Sequence, residues 1–423
     1  MPIPQAVALP PLPFPEQDIL FACADFNRFS LLRYDPRANR WSDELSGRDT
    51  AYLSNQTQPF SGSLMAPLPD DSGVLLSLAD FDSDEIDYKI VSWRSRQEQL
   101  LLERDFILQL SPEPVQRQFD PSGRIMVFFN VTYAQTSDGQ EMRVMPYSLD
   151  LEACHSGNCE AQLYDGFPHW SPDLSWLLLI NLEEQNLITL RDERSGEEIP
   201  LGNGFSPFWL DDESFIYIRP VEDTEAGTGA IQTVEIVAAS VDDPLNGTVL
   251  VDSAAISTAI TGSDPTGTVG IHSVVAHPGQ PDWLFFSATL SHFAEPQTHH
   301  ILSFRNDTGE VSVLVNLDDS SLTFPFQIIQ NGQLLAVQTF SSSAPTGLLT
   351  LIPLNPAEKT ADSPIDTYSV SPTSYGDWSQ DGRWLLITGQ DSFRLIAPGH
   401  NYDQTITHDL GACTDAAWIN APG

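Results

Sequence analysis

The sequence predicts an all-β protein built from repeated four-stranded sheets. One phrase recurs at roughly 40 to 65 residues: an aromatic or apolar residue, a turn rich in Asp, Pro, Ser and Gly, and an apolar strand. It reads WSPDLSWLLLI from Trp170, WSQDGRWLLIT from Trp378 and FDPSGRIMVFF from Phe119. A supersecondary unit that repeats at such a period is typical of a β-propeller, in which each blade is a four-stranded sheet.

The phrase returns as WLDDESFIYI from Trp209, and weaker copies begin at Ala66, Ala276 and Ile329. Each of the copies is followed by stretches rich in Val, Ile, Leu, Phe, Thr and Tyr, separated by clusters of Gly, Asn, Asp and Pro. This alternation is expected of antiparallel strands joined by hairpins. The seven copies therefore predict seven blades.

An eighth blade is predicted from the two ends of the chain. An eighth aromatic, Trp418, lies near the C-terminus, whereas the strands of residues 19–45 lack an inner partner. We expect these segments to share one blade, because this closes an eight-bladed propeller and removes two exposed sheet edges. Seven blades is the alternative if one weak copy is irregular. Residues 1–18 are then a proline-rich lead-in, and residues 19–423 form a single propeller domain.

The four cysteines fit two disulfide bridges. In the shared blade an antiparallel register places Cys413 opposite Cys23 or nearly so. Cys154 and Cys159 flank a polar turn, where two strands joined by a hairpin would bring the thiols within bridging distance. Two bridges would indicate an oxidising compartment, in the periplasm, on the cell surface or in the medium. The alternative is four reduced, buried cysteines in the cytosol.

The charge of the chain restricts its partners. Asp and Glu number 58 against 19 Lys and Arg, so the formal net charge is −39. Such a field repels nucleic acid and anionic lipid headgroups, which leaves a protein or a small neutral or cationic ligand. The charge would also keep a β-rich surface soluble, or suit high salt. No apolar run has the length of a membrane span, so we expect no insertion into membranes. We also expect a monomer.

The first residues contain six prolines within fifteen positions and no basic region followed by an apolar core. They therefore predict a stiff, extended segment and no signal peptide in this chain. One account is a mature form from which an export signal has been removed.

The strings WSPD at 170–173 and WSQDG at 378–382 resemble the WD-like propeller repeat of the TolB type. The segment DFDSDEIDYKIVSW, residues 80–93, is similar to the second hairpin of that repeat. The resemblance covers most of residues 19–420, and it implies a propeller of the bacterial cell envelope that serves as a binding platform. It transfers no catalytic residues. The turn aspartates Asp173 and Asp381 are expected to accept hydrogen bonds from local backbone amides.

An acidic cluster in the second repeat suggests a calcium site. Asp80, Asp82, Asp84 and Asp87 alternate along a predicted turn, and calcium prefers oxygen ligands. The position that needs Gly in an EF-type loop is Glu85, and no Glu occupies the twelfth place. The alternative is a solvated hairpin tip. Apart from this calcium hypothesis, the sequence predicts no cofactor.

The best generic ligand site is the mouth of the central channel. Arg117, His169, Tyr375, Asp377 and Asp415 stand just before the inner-strand aromatics and should lie near one channel end. The alternative is that these side chains only bind water there.

The sequence contains no G-x-S-x-G, H-E-x-x-H or phosphate-loop motif. We therefore expect a non-enzymatic binding scaffold, because a rigid ring with variable loops suits recognition. The alternative is an enzyme that processes a carbohydrate or peptide at the channel mouth.

Overall fold

A computed structural model gives the architecture of the chain. The residues that it describes are 14–25, 28–45, 60–67, 73–80, 85–92, 98–102, 118–119, 124–136, 139–156, 158, 160–181, 186–221, 233–262, 268–291, 297–317, 321–323, 327–329, 332–341, 347–362, 364, 366–370, 377–379, 381–388, 392–400, 402–408 and 412–420.

The described residues are almost entirely β-structure. Two short helices occur, α1 (Leu151–His155) and α2 (Ser253–Thr261). In chain order the strands are β1 Gln17–Asp25, β2 Arg28–Asp35, β3 Arg40–Leu45, β4 Phe60–Pro67, β5 Gly73–Asp80, β6 Glu85–Ser92, β7 Glu98–Leu102, β8 Gln118–Phe119, β9 Ile125–Thr136, β10 Gly139–Asp150, β11 Gln162–Leu163, β12 Phe167–Trp170, β13 Trp176–Asn181, β14 Leu187–Asp192, β15 Glu198–Asn203, β16 Phe205–Trp209, β17 Ser214–Val221, β18 Thr233–Ser240, β19 Asp243–Val251, β20 Thr268–His277, β21 Gln280–Ser291, β22 Thr298–Arg305, β23 Glu310–Leu317, β24 Ser321–Thr323, β25 Gln327–Ile329, β26 Leu334–Ser341, β27 Gly347–Asn355, β28 Thr360–Ala361, β29 Asp366–Val370, β30 Asp377–Trp378, β31 Leu385–Thr388, β32 Ser392–Ala397, β33 Tyr402–Thr407 and β34 Ala412–Asn420.

The chain divides into two compact units, one of residues 1–105 with 373–423 and one of residues 106–372. The first unit contains three antiparallel sheets, ordered β3-β2-β1-β34, β4-β5-β6-β7 and β30-β31-β32-β33. The second unit contains the sheets β11-β10-β9-β8, β12-β13-β14-β15, β16-β17-β18-β19 and β20-β21-β22-β23, together with a six-stranded sheet of β24 to β29. In the four-stranded sheets of the second unit, strands that follow one another in the chain are also neighbours in the sheet, as in propeller blades.

The prediction of eight four-stranded blades is wrong. Among the described residues seven sheets have four strands, and the arrangement is that of a seven-bladed β-propeller. The weak copy at Ile329 forms the six-stranded sheet, in which β24 and β25 both pair with β26, and β28 and β29 both pair with β27. In the sequence Pro325 lies between β24 and β25, and Pro364 lies between β28 and β29. Since proline has no N–H for the ladder, a regular repeat is interrupted there.

The expected sharing of one blade by the two termini is confirmed. Strand β1 pairs with β34, and Ile19 lies opposite Trp418. Cys23 lies opposite Cys413 at a shift of register, and the two form a disulfide bridge across 390 residues of sequence. Both cysteines are buried. The bridge therefore ties the first strand of the first unit to its last.

The repeated turn has the hydrogen bonds expected of its aspartate. The carboxylate of Asp173 accepts hydrogen bonds from the Ser175 hydroxyl at 2.7 Å, the Ser175 amide at 3.0 Å and the Ser171 hydroxyl at 2.8 Å, and these bonds lower its pKa. The Ser171 hydroxyl in turn accepts from the Trp176 amide at 3.0 Å. Ser379, Asp381 and Trp384 repeat this arrangement in the first unit. The W-S-x-D phrase is thus a self-contained turn that starts the next strand.

The aromatic that precedes the turn packs between neighbouring sheets. Trp170 is buried between Val127 of the preceding sheet and Leu177 and Leu179 of its own sheet. The ring of Tyr164, which follows β11, packs against it edge to face. Trp418 lies in the cluster shared by the terminal blade and the β30 to β33 sheet. Burial of such large rings supplies much of the hydrophobic stabilisation between blades.

The expected hairpin at Cys154 and Cys159 is replaced by helix α1. Strand β10 ends at Asp150, whose carboxylate accepts hydrogen bonds from the amides of Glu152 and Ala153 at 3.0 and 3.1 Å and so starts a helical turn. The side chains of Cys154 and Cys159 lie outside the described residues, so their bridge stays a prediction. In the part of the chain that is described, no helix is long and apolar enough to cross a membrane.

Candidate ligand-binding site

His169 is the one predicted channel residue whose side chain is described. It is the penultimate residue of β12, and its carbonyl oxygen accepts a hydrogen bond of 2.8 Å from Trp209 Nε1 in the next blade. Burial lowers the pKa of His169 to about 4, so the imidazole is neutral near pH 7.

The other four predicted channel residues are incompletely described. Arg117 and Tyr375 lie outside the described residues. Asp377 begins β30 and pairs with Leu386, and Asp415 of β34 pairs with Ala22, but for both only the backbone is described. A common site for these residues therefore stays a prediction.

The calcium hypothesis also falls largely outside the described residues. Asp82 and Asp84 are not described, whereas the backbone of Asp80 pairs with Glu85, and that of Asp87 pairs with Leu78. These pairings confirm that the acidic segment joins two hairpin strands. Among the described residues, no three His, Cys, Asp or Glu side chains come together as a metal site.

The described residues form a cleft between the β16 to β19 sheet and the β20 to β23 sheet. Its volume is about 460 Å³. Strands β16, β18 and β20 begin at the cleft, and β17 and β21 end there. The inner strands β16 and β20 begin at the cleft, whereas His169 lies near the end of the inner strand β12. The cleft and His169 are therefore at opposite ends of the inner strands. The lining residues are Phe205, Pro220, Val234, Thr268, Val269, Gly270, Ile271, His272, Thr289, Ser291 and Gln297.

A β-bulge brings His272 to the cleft. Ile271 pairs with Ala288 and Ser273 pairs with Ser287, so His272 is an extra residue without an opposite partner in β21. A bulge of this kind bends the strand and changes the direction of the side chain. His272 is consequently exposed at the cleft, whereas Ile271 is buried in the core.

The Thr289 hydroxyl holds the His272 ring. A hydrogen bond of 3.1 Å joins His272 Nε2 and Thr289 Oγ1, and Thr289 is buried. Gly270 lies opposite Thr289, and a Cβ atom at Gly270 would be 2.7 Å from Thr289 Oγ1. The absence of a side chain at Gly270 therefore leaves room for the hydrogen bond between Thr289 and His272.

A second histidine lies on the other side of Thr289. His299 in β22 is directly opposite Thr289, and side chains of paired residues project from the same face of a sheet. His300 projects from the opposite face, where Nδ1 is 2.8 Å from Asn316 Oδ1 and Nε2 is 2.8 Å from Thr298 Oγ1. Desolvation, and then the charge of His299, lower the pKa of His272, so both effects favour a neutral ring.

The described lining of the cleft carries no ionised side chain at neutral pH. Next to the lining residues Pro220 and Val234 in the sequence are Arg219 and Glu235, which lie opposite each other on β17 and β18. Their guanidinium and carboxylate groups form an ion pair at 2.8 Å. This ion pair is internally balanced, and it raises the pKa of Arg219. A neutral cleft with a few convergent polar groups on an apolar wall is the usual composition of a small-molecule site.

None of the sites predicted from the sequence corresponds to this cleft. The available signal was Gly270-Ile271-His272-Ser273, where a glycine and a histidine interrupt an otherwise apolar strand. An isolated glycine in a strand often marks a bulge or a close approach. The contribution of Thr289 and His299 depends on the register of β20, β21 and β22, which one sequence does not reveal.

No protein-family model and no curated protein sequence matches this chain. Among solved structures, an oligogalacturonate lyase from Vibrio parahaemolyticus is 13% identical, with a TM-score of 0.48, over 80% of this chain and 85% of its own. A periplasmic gluconolactonase from Pseudomonas aeruginosa is 12% identical, with a TM-score of 0.41, over 96% of this chain and 99% of its own. TolB from Acinetobacter baumannii is 14% identical, with a TM-score of 0.35, over 86% of this chain and 83% of its own. The structures similar to this chain thus include TolB and enzymes, and this remote similarity assigns neither an activity nor a family to it.

Proposed function

We propose that this protein is a non-enzymatic binding scaffold that acts outside the cytoplasm and takes a small ligand in the cleft beside His272. The cleft is the observation that carries the proposal. Its walls come from strands of two packed sheets, so the ligand groups are held by rigid elements. Its volume of about 460 Å³ falls within the range of roughly 300 to 1,000 Å³ that is common for small-molecule sites.

The chemistry of the described cleft supports binding rather than catalysis. The pair His272 and Thr289 has the spacing of a base and a nucleophile. A catalytic pair of this kind also needs a third group that orients the base. Among the described residues no carboxylate contacts His272, and the Thr289 hydroxyl is buried beneath the ring. The hydrogen bond therefore orients the imidazole for recognition.

The bridge between Cys23 and Cys413 supports a location outside the cytoplasm. Disulfide bridges persist in the periplasm, on cell surfaces and in secreted proteins, whereas cytosolic thiols are kept reduced. Both sulfur atoms are buried in the terminal blade, where they have no access to a redox partner. This bridge is therefore a structural one.

The proposal is tested by ligand-observed NMR on the full chain with a set of small neutral and cationic fragments. We expect fragments that bind the native protein to lose binding at least tenfold in Phe205→Ala and His272→Ala. Phe14→Ala and His400→Ala serve as matched controls, because both residues are exposed and belong to the other unit. Thermal unfolding of each variant separates lost binding from lost fold.

Two results would contradict this function. Fragment binding that is unchanged in both cleft variants would place the site elsewhere. A change in the mass of a bound fragment after incubation with the native protein, absent in His272→Ala, would indicate catalysis instead of binding.

A further inference from the structure

We propose that the ligand of the cleft is a neutral carbohydrate, held by hydrogen bonds to its hydroxyl groups and by contact of its C–H face with Phe205. This inference rests on the proposed binding function and specifies the class of ligand. Three properties of the described lining lead to it: the absence of charge, the type of the polar groups, and the apolar wall.

The absence of charge disfavours ionic ligands. A charged group that leaves water without a counter-charge loses solvation that the described cleft does not replace. Arg219 and Glu235 already satisfy each other at 2.8 Å. The net charge of −39 on the chain adds a repulsion that an anionic ligand would have to overcome. A neutral ligand meets neither cost.

The polar groups of the lining match hydroxyl groups. Thr268, His272, Ser291 and Gln297 supply hydroxyl, imidazole and carboxamide groups. In their neutral forms all of these groups can both donate and accept hydrogen bonds. A sugar hydroxyl also does both, so each contact can be formed with either polarity. Amides in a peptide separate the donor from the acceptor and would need a fixed sequence of partners.

The apolar part of the lining matches the remaining surface of a sugar ring. Phe205 lies at the start of β16 and Pro220 near the end of β17, and both line the cleft and are partly exposed. Pyranose rings carry a face of C–H groups, which is attracted to the negative face of an aromatic ring. The cleft therefore offers one wall for the C–H face and several polar groups for the hydroxyls.

The test is isothermal titration of the full chain with methyl glycosides of defined charge. The neutral probes are the methyl glycosides of glucose, galactose, mannose and N-acetylglucosamine. The charged probes are methyl glucuronide and glucosamine, and the peptide probe is N-acetyl-trialanine amide. We expect at least one neutral glycoside to bind at least tenfold more tightly than every charged or peptide probe, with little dependence on salt between 50 and 500 mM.

The variants locate the binding and separate this inference from the proposed function. Phe205→Ala and His272→Ala should each weaken glycoside binding at least tenfold, whereas Phe14→Ala and His400→Ala should not. If a charged sugar binds in the cleft and the neutral glycosides do not, the ligand is not neutral and the inference is wrong. If only the peptide binds there, the carbohydrate class is wrong. In both cases the cleft remains a binding site. If only the small fragments of the NMR test bind in the cleft, the carbohydrate inference is also wrong and the cleft remains a binding site. If neither glycosides nor fragments distinguish the cleft variants from the controls, the carbohydrate inference and the proposed function both fail.

Discussion

At the scale of single residues, the chain repeats one solution for turning from one strand into the next. A serine hydroxyl accepts a hydrogen bond from the amide that begins the following strand, and an aspartate holds that serine, as in Ser171 with Asp173 and Ser379 with Asp381. These contacts are local in sequence, which is why the W-S-x-D phrase was sufficient to predict both the turn and the role of its aspartate. The histidines required distant contacts and could not be assigned in the same way.

Replacement of the turn aspartate should destabilise the fold modestly. Asp173→Ala removes acceptors for the Ser175 amide and two hydroxyls, so we expect the free energy of unfolding to fall by about 1 kcal/mol. Asp212→Ala is the matched control, because Asp212 is an exposed aspartate in a turn where Asp211 accepts the amide hydrogen bonds. Urea titrations compare the two. Equal losses in both variants would show that the Asp173 contacts add nothing.

His169 should make the protein sensitive to acid. Its pKa is about 4 in the folded chain against an ordinary value of 6.5, so between these values the unfolded chain binds a proton that the folded chain does not. The free energy of unfolding should therefore fall as the pH is lowered from 7 to 4, by up to about 3 kcal/mol from this residue.

The variant His169→Gln isolates this contribution. It should lose less stability than the native protein over the same pH range, in urea titrations at pH 7, 5.5 and 4. Parallel curves for the two proteins would mean that His169 is solvated in the folded state.

At the scale of elements, the alternation of strands and turns was predictable, whereas strand irregularities were not. Hairpin signals such as those of residues 170–180 depend on neighbours in sequence. The bulge at His272 depends on the register between β20 and β21. Pro325 and Pro364 indicate breaks in the 321–370 segment, but they do not reveal which strands the halves pair with. The candidate cleft is built at such a bulge, so its location was missed, while the blades that form its walls were found.

The contact between β20 and the turn before β26 gives a test at this scale. His277 Nε2 is 2.8 Å from the Gly332 carbonyl oxygen, its Nδ1 accepts from the Gly279 amide at 3.1 Å, and its ring stacks on Trp283 at 5.3 Å. Gly332 has a φ of 88°, and a Cβ atom there would be 2.4 Å from the His277 ring. The turn therefore admits only glycine for two separate reasons.

We expect Gly332→Ala to lower the free energy of unfolding by more than Gly309→Ala. Gly309 has a φ of 68° but no atom within 4 Å of the position of a Cβ, so its replacement costs only the backbone term of about 1 to 2 kcal/mol. Gly332→Ala adds the displacement of a buried ring, at about 1 to 3 kcal/mol more. Chemical denaturation of both variants measures the difference. Equal losses would contradict the close packing of His277.

At the scale of the whole chain, the pairing of the termini was predictable because each end of the chain had strands that lacked a partner for a complete blade. Strands at each end lacked a partner, and an antiparallel register between them placed two cysteines opposite each other. The number of regular blades was not predictable to the same degree, because a weak repeat does not reveal whether its strands are continuous.

Removal of the terminal bridge should destabilise the protein strongly. The double variant Cys23→Ala, Cys413→Ala opens a loop of 390 residues of sequence, for which the chain-entropy treatment gives about 4 to 6 kcal/mol. We expect the urea midpoint of the double variant to be much lower than that of the native protein. The native protein treated with reductant serves as a second comparison. An unchanged midpoint in the variant would show that strand pairing alone fixes the termini.

The proposed function requires that a small ligand occupies the cleft between the β16 to β19 and β20 to β23 sheets. A crystal structure of the full chain soaked with the tightest-binding neutral glycoside or fragment tests it most directly. We expect ligand density in contact with Phe205 and within hydrogen-bonding distance of the His272 ring. Density for the same ligand at another site, with the cleft filled only by water, would contradict it.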